Sequence, residues 1–209
     1  MTSAELLKSF SGIISIVNPI GAIPIFIGLT SNWTKKQRNQ TANTAALSAT
    51  LILLLSAFSG HYILKFFGIS LSSFQVAGGI LLLLIAISML HAKLSHAKHT
   101  PQEAQEAEDM ESIGVVPLAM PILAGPGSIS TVILYAHYAR GLDEKAILAL
   151  IILTVGAIVW ITLRMAVPIG TRLGATGINI AVRILGLILA AISVEFMAAG
   201  LKGLFPGLG

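Results

Sequence analysis

No cysteine occurs in the chain, which excludes disulfides, thiol redox chemistry and cysteine-ligated metals. Charge is nearly as scarce: 11% of the 209 residues are Asp, Glu, Lys or Arg, against about 25% in soluble domains. Hydrophobic residues make up 55% and the mean hydropathy is +0.88. The solvent of such a chain is the bilayer. Thirteen Lys and Arg outnumber nine Asp and Glu, yet the cations are scattered through short loops. Neither a basic helix nor a basic–aromatic alternation is present, so they read as topology-setting charges and no nucleic-acid partner is expected. No nucleophile–base pair, nucleotide loop or metal cluster stands out. The chain is therefore not read as an enzyme, and no cofactor is expected.

What is present is a series of long apolar runs. At about 20 residues per span, six fit: roughly 6–29, 42–64, 70–91, 113–138, 146–168 and 178–200. The first reads as a retained span, because Glu5 stands beside Lys8 ahead of it and no small-residue cleavage site follows. One polar segment, 92–112, separates two halves. Lys93 and Lys98 give way there to Glu103, Glu106, Glu108, Asp109 and Glu111. His91, His96 and His99 lie close together, but no second ligand group stands at recognisable spacing. They read as part of a solvated linker.

Two of the runs contain residues that do not belong in a helix crossing hydrocarbon. The first holds Asn18-Pro19-Ile20-Gly21-Ala22-Ile23-Pro24, the fourth Ala124-Gly125-Pro126-Gly127-Ser128. Each proline removes an N–H and clashes with the carbonyl four residues back. Broken backbone at that depth is tolerated only inside protein or beside a cavity. Asn18 can cap a new half-helix, Pro19 suits its first position, and Pro24 should kink it.

The halves also match in layout. Shifting by 107 residues carries Pro19 to Pro126, Lys65 to Arg172 and Gly79 to Gly186. Each half has three spans with the break in its first. Three is odd, so the second copy must be inserted upside down, an inverted-topology repeat. The expected fold is an all-α integral membrane protein of six transmembrane helices, helices one and four being broken. Repeat one is 1–91, the polar linker 92–112 and repeat two 113–209. Lys and Arg divide eight to five between the two sides, which places both termini outside. Small residues (Ala42, Ala45, Ala46, Ala49, Ser56, Gly60) and Gln75-Val-Ala-Gly-Gly79 are read as helix-packing positions, with Gln75 bonding to a neighbouring helix.

A half-helix that starts at mid-membrane offers unpaired N–H groups and about half a positive charge, a setting for a carboxylate. The half before it ends in free carbonyls that suit an ammonium group. Asn18, Ser128, Ser130 and Thr131 add hydrogen bonds without charge, and the small apolar lining favours a small neutral side chain. The candidate substrate-binding residues are Asn18, Pro19, Gly21, Pro24, Gly125, Pro126, Gly127 and Ser128. Glu195 is the one acidic residue in the sixth run, about 26 Å along a helix begun near Ile178. It is either an ion-coupling group or an interfacial one.

At these motifs the chain resembles the MarC family of bacterial inner-membrane proteins, also called the NAAT family. Asn18-Pro19-x-Gly21-x-x-Pro24 and Val116-Pro117-Leu118-Ala119-Met120-Pro121-x-x-Ala124-Gly125-Pro126-Gly127 look like its two signatures. Glu111 to Pro117, Arg183-Ile-Leu-Gly186 and the ending Gly200-Leu-Lys-Gly-Leu-Phe-Pro-Gly are most similar to its YchE-like branch. The resemblance covers essentially the full length. It implies six spans, an inner-membrane location and, for the SnatA-like members, transport of small neutral amino acids such as glycine and alanine, driven by a proton or sodium gradient. The competing readings are export of another small metabolite or drug, and a non-transporting structural membrane protein. Whether copies associate as a homo-oligomer is left open.

Overall fold

A computed structural model describes residues 3–91 and 114–208; the polar linker, with His96 and His99, lies outside the described residues. Among the described residues all regular structure is helical. The first run gives α1 (Ser3–Val17) and α2 (Pro19–Leu29), parted at Asn18. Helix α3 (Lys35–Phe66) opens on a reciprocal cap: the Thr34 hydroxyl accepts the Gln37 N–H, and the Gln37 side chain accepts the Thr34 N–H at 2.9 Å. Ser70 caps α4 (Leu71–Leu90) by accepting the Ser73 N–H at 3.0 Å. The second half runs through α5 (Gly114–Leu123), α6 (Pro126–Tyr138), α7 (Leu142–Arg164) and α8 (Ala166–Leu204), with a 3-10 turn at Pro206–Leu208.

Five helical stretches are long and apolar enough to cross a membrane: Glu5–Leu29, α3, α4, α7 and α8. The run expected as the fourth span is carried by α5 and α6, of 10 and 13 residues, neither long enough alone. Several boundaries differ from expectation. Helix α3 begins at Lys35 rather than 42, because the Thr34–Gln37 cap starts it, so Lys35–Arg38 are its first turn. Helix α7 ends at Arg164, short of 168. Helix α8 begins at Ala166 instead of 178, and is interrupted at Gly174 (φ 62°, ψ 178°). That left-handed φ is open to glycine without cost, so the chain turns a corner there before the long helical stretch.

Apolar surface points outward as well as inward. On α3, Leu47, Leu51, Leu55, Phe58, Tyr62 and Phe66 are exposed, while Ala42, Ala45, Ala46, Ala49, Ala57 and Gly60 are buried. Side chains three and four apart share a helix face, so α3 turns a large apolar face to its surroundings and a small-residue face to its neighbours α5, α6 and α7. A contiguous exposed apolar face of that extent fits lipid and not water.

The most extensive contact in the fold is between α4 and α8, which run antiparallel. Glycines let the two backbones meet. A Cβ on Gly79 would stand 2.9 Å from the Ser193 carbonyl oxygen, and one on Gly186 3.3 Å from the Ala86 carbonyl oxygen. These two contacts are related by the 107-residue shift, which carries 79 to 186 and 86 to 193.

Candidate functional site

At the first break the α1 ladder runs on through Asn18, whose N–H reaches the Ile14 carbonyl at 3.0 Å. Asn18 then adopts φ 48°, ψ 63°, the one positive φ outside glycine among the described residues. Asn tolerates this region because its short amide can bond locally, and its Oδ1 accepts the Gly21 N–H at 3.0 Å. Pro19 is buried at the first position of α2 and has no N–H to return to the Ser15 carbonyl. Gly21 is a close approach: a Cβ there would lie 2.1 Å from Asn18 Nδ2, so the cap and the glycine come as a pair. Helix α2 continues through the half-buried Pro24 to Leu29.

The second break is built differently. Pro121 cannot donate to the carbonyl four residues back, and α5 is wound as a π-helix; its last bond runs from the Ala124 N–H to the Ala119 carbonyl at 2.8 Å. Gly125 is extended at φ −75°, ψ 175°, and no side chain caps α6. Pro126 at the first position of α6 is exposed, whereas Gly125, Gly127 and Ser128 are buried. The nearby hydroxyls turn back onto the chain. Ser128 Oγ donates to the Leu123 carbonyl at 3.0 Å, and Ser130 Oγ and Thr131 Oγ1 donate to the Gly127 carbonyl at 3.0 and 2.8 Å. Their protons are thus used within the chain, while the first N–H groups of α6 have no side-chain cap.

The two breaks are brought together. A Cβ on Gly127 would meet Ile85, Ile16 and Leu82 side chains at 2.9, 3.1 and 3.1 Å. The end of α1 therefore rests against the start of α6, with α4 behind both.

Among the described residues one end of the bundle is open. A cavity of about 520 Å³ is lined by the start of α1 (Glu5, Lys8, Ser9), Gln75 of α4, the end of α6 (Tyr135, Tyr138), the start of α7 and the end of α8 (Glu195, Phe196). A second, of about 660 Å³, lies beside it between α3, α6 and α7, around His61, His137 and Lys145. The break residues line neither. Glu195 is at the rim, with Oε2 2.5 Å from Lys8 Nζ, both side chains more than half exposed. An exposed pair of this kind contributes about 0–1 kcal/mol. Tyr138 donates to Gln75 Oε1 at 3.1 Å, the helix-to-helix bond expected of Gln75. Tyr135 stacks edge-to-face on Phe196 with centroids 6.0 Å apart, and its hydroxyl lies 2.5 Å from where a Gly12 Cβ would be.

The opposite end is tied down. Arg38 donates to the Thr30 and Ser31 carbonyls, both at 2.9 Å. Trp160 donates to Asn43 at 2.7 Å, and the Arg164 guanidinium lies 5.0 Å from the Trp160 ring centroid. Sequence reasoning missed the Tyr135–Phe196–Gly12 contact. Its trace was two tyrosines, Tyr135 and Tyr138, three apart at the polar end of an apolar run.

Residues 3–205 match the family described as MarC family integral membrane protein. The chain is 45% identical to the UPF0056 membrane protein YhcE of Escherichia coli (strain K12) over 96% of this chain and 94% of that one. A UPF0056 membrane protein of Methanocaldococcus jannaschii is 43% identical over 94% of this chain and 96% of its own. The UPF0056 membrane protein YvbG of Bacillus subtilis (strain 168) is 38% identical over 100% and 99%. No solved structure matches.

Proposed function

The chain belongs to the MarC family of integral membrane proteins, and on that premise we propose that it is a secondary transporter of small neutral amino acids of glycine or alanine size. The observation that carries the reading is the meeting of two proline-initiated half-helices in the core, Gly127 of one resting on Ile16 at the end of the other's predecessor. Discontinuous helices at corresponding positions of two repeats are the sequence-level mark of a transporter's binding site.

The two half-helix starts divide the work. Asn18 already satisfies the Gly21 N–H, so α2 has less to offer an anion. Helix α6 has no side-chain cap, and its first N–H groups, at Gly127 and Ser128, hold the substrate carboxylate. The carbonyls freed at the end of α1, Ser15 first among them, face the ammonium. Asn18, Pro19, Gly21 and Pro24 fix one half-helix, and Gly125, Pro126, Gly127 and Ser128 the other. The neighbours of Gly127 are the apolar ends of Ile85, Ile16 and Leu82, a setting that favours hydrogen or methyl over a larger or charged side chain.

Inverted three-plus-three architecture, with six crossings, is supported by the related contacts of Gly79 and Gly186 and by Asn18 and Gly125, N-caps 107 residues apart. Alternating access is rocking of one repeat against the other, driven by a proton or sodium gradient, with Glu195 the candidate coupling group. The location is the bacterial inner membrane, and the Lys and Arg distribution puts the termini and the open end outside.

Counterflow and uptake of labelled glycine and alanine in proteoliposomes, with and without a proton or sodium gradient, test the reading. Saturable flux that responds to one gradient is the expected result. Absence of flux for both from folded protein under either gradient overturns it.

A further inference from the structure

We propose that the 520 Å³ cavity at the open end is a second, outer binding site for a small zwitterion, which hands its occupant past Tyr135 to the breaks; it rests on the amino-acid reading above. Three observations converge on it.

The first is charge of both signs in one cavity. Lys8 and Arg140 face it with Glu5, Glu144 and Glu195, in a chain where charge is scarce. Glu144 accepts the Arg140 backbone N–H at 2.6 Å, and Glu195 pairs with Lys8 across α1 and α8. A zwitterion can enter between Lys8 and Glu195, its carboxylate on the ammonium of one and its own ammonium on the carboxylate of the other. One ion pair is replaced by two and the net charge does not change. The existing pair is more than half exposed on both sides, so little is lost by opening it. A singly charged molecule leaves one partner unmatched.

The second is size. A water takes about 30 Å³ of liquid volume, so about 520 Å³ holds glycine or alanine with part of its hydration shell. An access site needs that room; a final site does not.

The third is position. Tyr135 and Phe196 line the cavity, and the Tyr135 hydroxyl covers Gly12. Beyond Gly12 lie the fully buried Ile13 and then Ile16, which touches Gly127. Gly12 to Asn18 along α1 is about 9 Å, and Tyr135 to Gly127 along α6 about 12 Å. Tyr135 therefore stands between the cavity and both breaks as the inner door of the outer site.

The absence of cysteine gives a direct test that does not depend on transport. Ser9→Cys and Ala199→Cys each place one thiol in the cavity lining, and Leu142→Cys places one on an exposed residue outside it. In detergent solution, glycine and alanine are expected to slow modification of the two lining thiols by a charged thiol reagent, leaving the Leu142→Cys rate unchanged. Methylamine and acetate, one charge each, should protect far less. Glu195→Gln should raise the protecting glycine concentration by up to about fivefold, the loss of one exposed charge pair. Unaltered labelling at both lining positions, in protein that transports glycine or alanine, overturns the outer site and leaves the transport reading standing. Protection in protein that transports neither supports the outer site while the transport reading fails.

Discussion

At the residue scale, the first break reduces to a partnership between Asn18 and Gly21. The amide that caps the N–H of Gly21 occupies the space a Cβ at 21 would need. This gives a prediction with a change of sign. Gly21→Ala in the native background should evict the cap and cost about 1 kcal/mol. In an Asn18→Gly background the left-handed φ is kept, the cap is already gone and the space is free. There Gly21→Ala should stabilise by about 0.5–1 kcal/mol, the ordinary preference of a helix for Ala over Gly. Thermal unfolding in detergent of the two singles and the double checks it; equal effects of Gly21→Ala in both backgrounds would contradict the pairing. Asn18 and Pro19 as cap and first helical residue were legible in sequence because both roles are local chemistry. The use of the Ser128, Ser130 and Thr131 protons on backbone carbonyls was not, since a hydroxyl in a broken helix can turn inward or outward and only packing decides.

At the element scale, the seam between α4 and α8 depends on three glycines that admit the opposite backbone, Gly79, Gly186 and Gly200. Backbone cannot yield as a side-chain end can, so Gly79→Leu and Gly186→Leu should each destabilise by at least the 1–3 kcal/mol typical of overpacking, about. Gly28 has open space around it, and Gly28→Leu should be close to neutral. Comparison of the three by thermal unfolding checks this; tolerance of Leu at both 79 and 186 would contradict the seam. The spans themselves were visible as apolar runs, and the small-residue face of α3 as spacing. The start of α3 was also written in the sequence, as Thr34-Lys-Lys-Gln37, a cap pattern that lies among polar residues ahead of the apolar run. The corner at Gly174 was not visible: a glycine among apolar residues is as compatible with helix packing as with a positive φ. The π-helical winding of α5 was not visible either, since the prolines of that run equally permit a kink.

At the scale of the whole molecule, the breaks lie in the packed interior, one end is open through a charged cavity, and the other is tied by Arg38 and the Trp160 contacts. The pairing of Glu195 with Lys8 required knowing that α1 and α8 meet. What the sequence could not reveal is the distance between the charged cavity and the breaks, because it is set by how three helices pack around Gly12 and Tyr135. The central claim is that the paired half-helix starts hold the transported amino acid. It is tested most directly by initial rates of labelled glycine uptake into proteoliposomes for Gly127→Ala, Gly127→Leu and the distant control Gly28→Leu. The neighbours of Gly127 are the ends of Ile85, Ile16 and Leu82 side chains, which can give way, so both Gly127 variants should fold. Uptake should fall from native to Gly127→Ala to Gly127→Leu, by about tenfold or more at Leu, with Gly28→Leu near native. Native uptake by folded Gly127→Leu would contradict the claim.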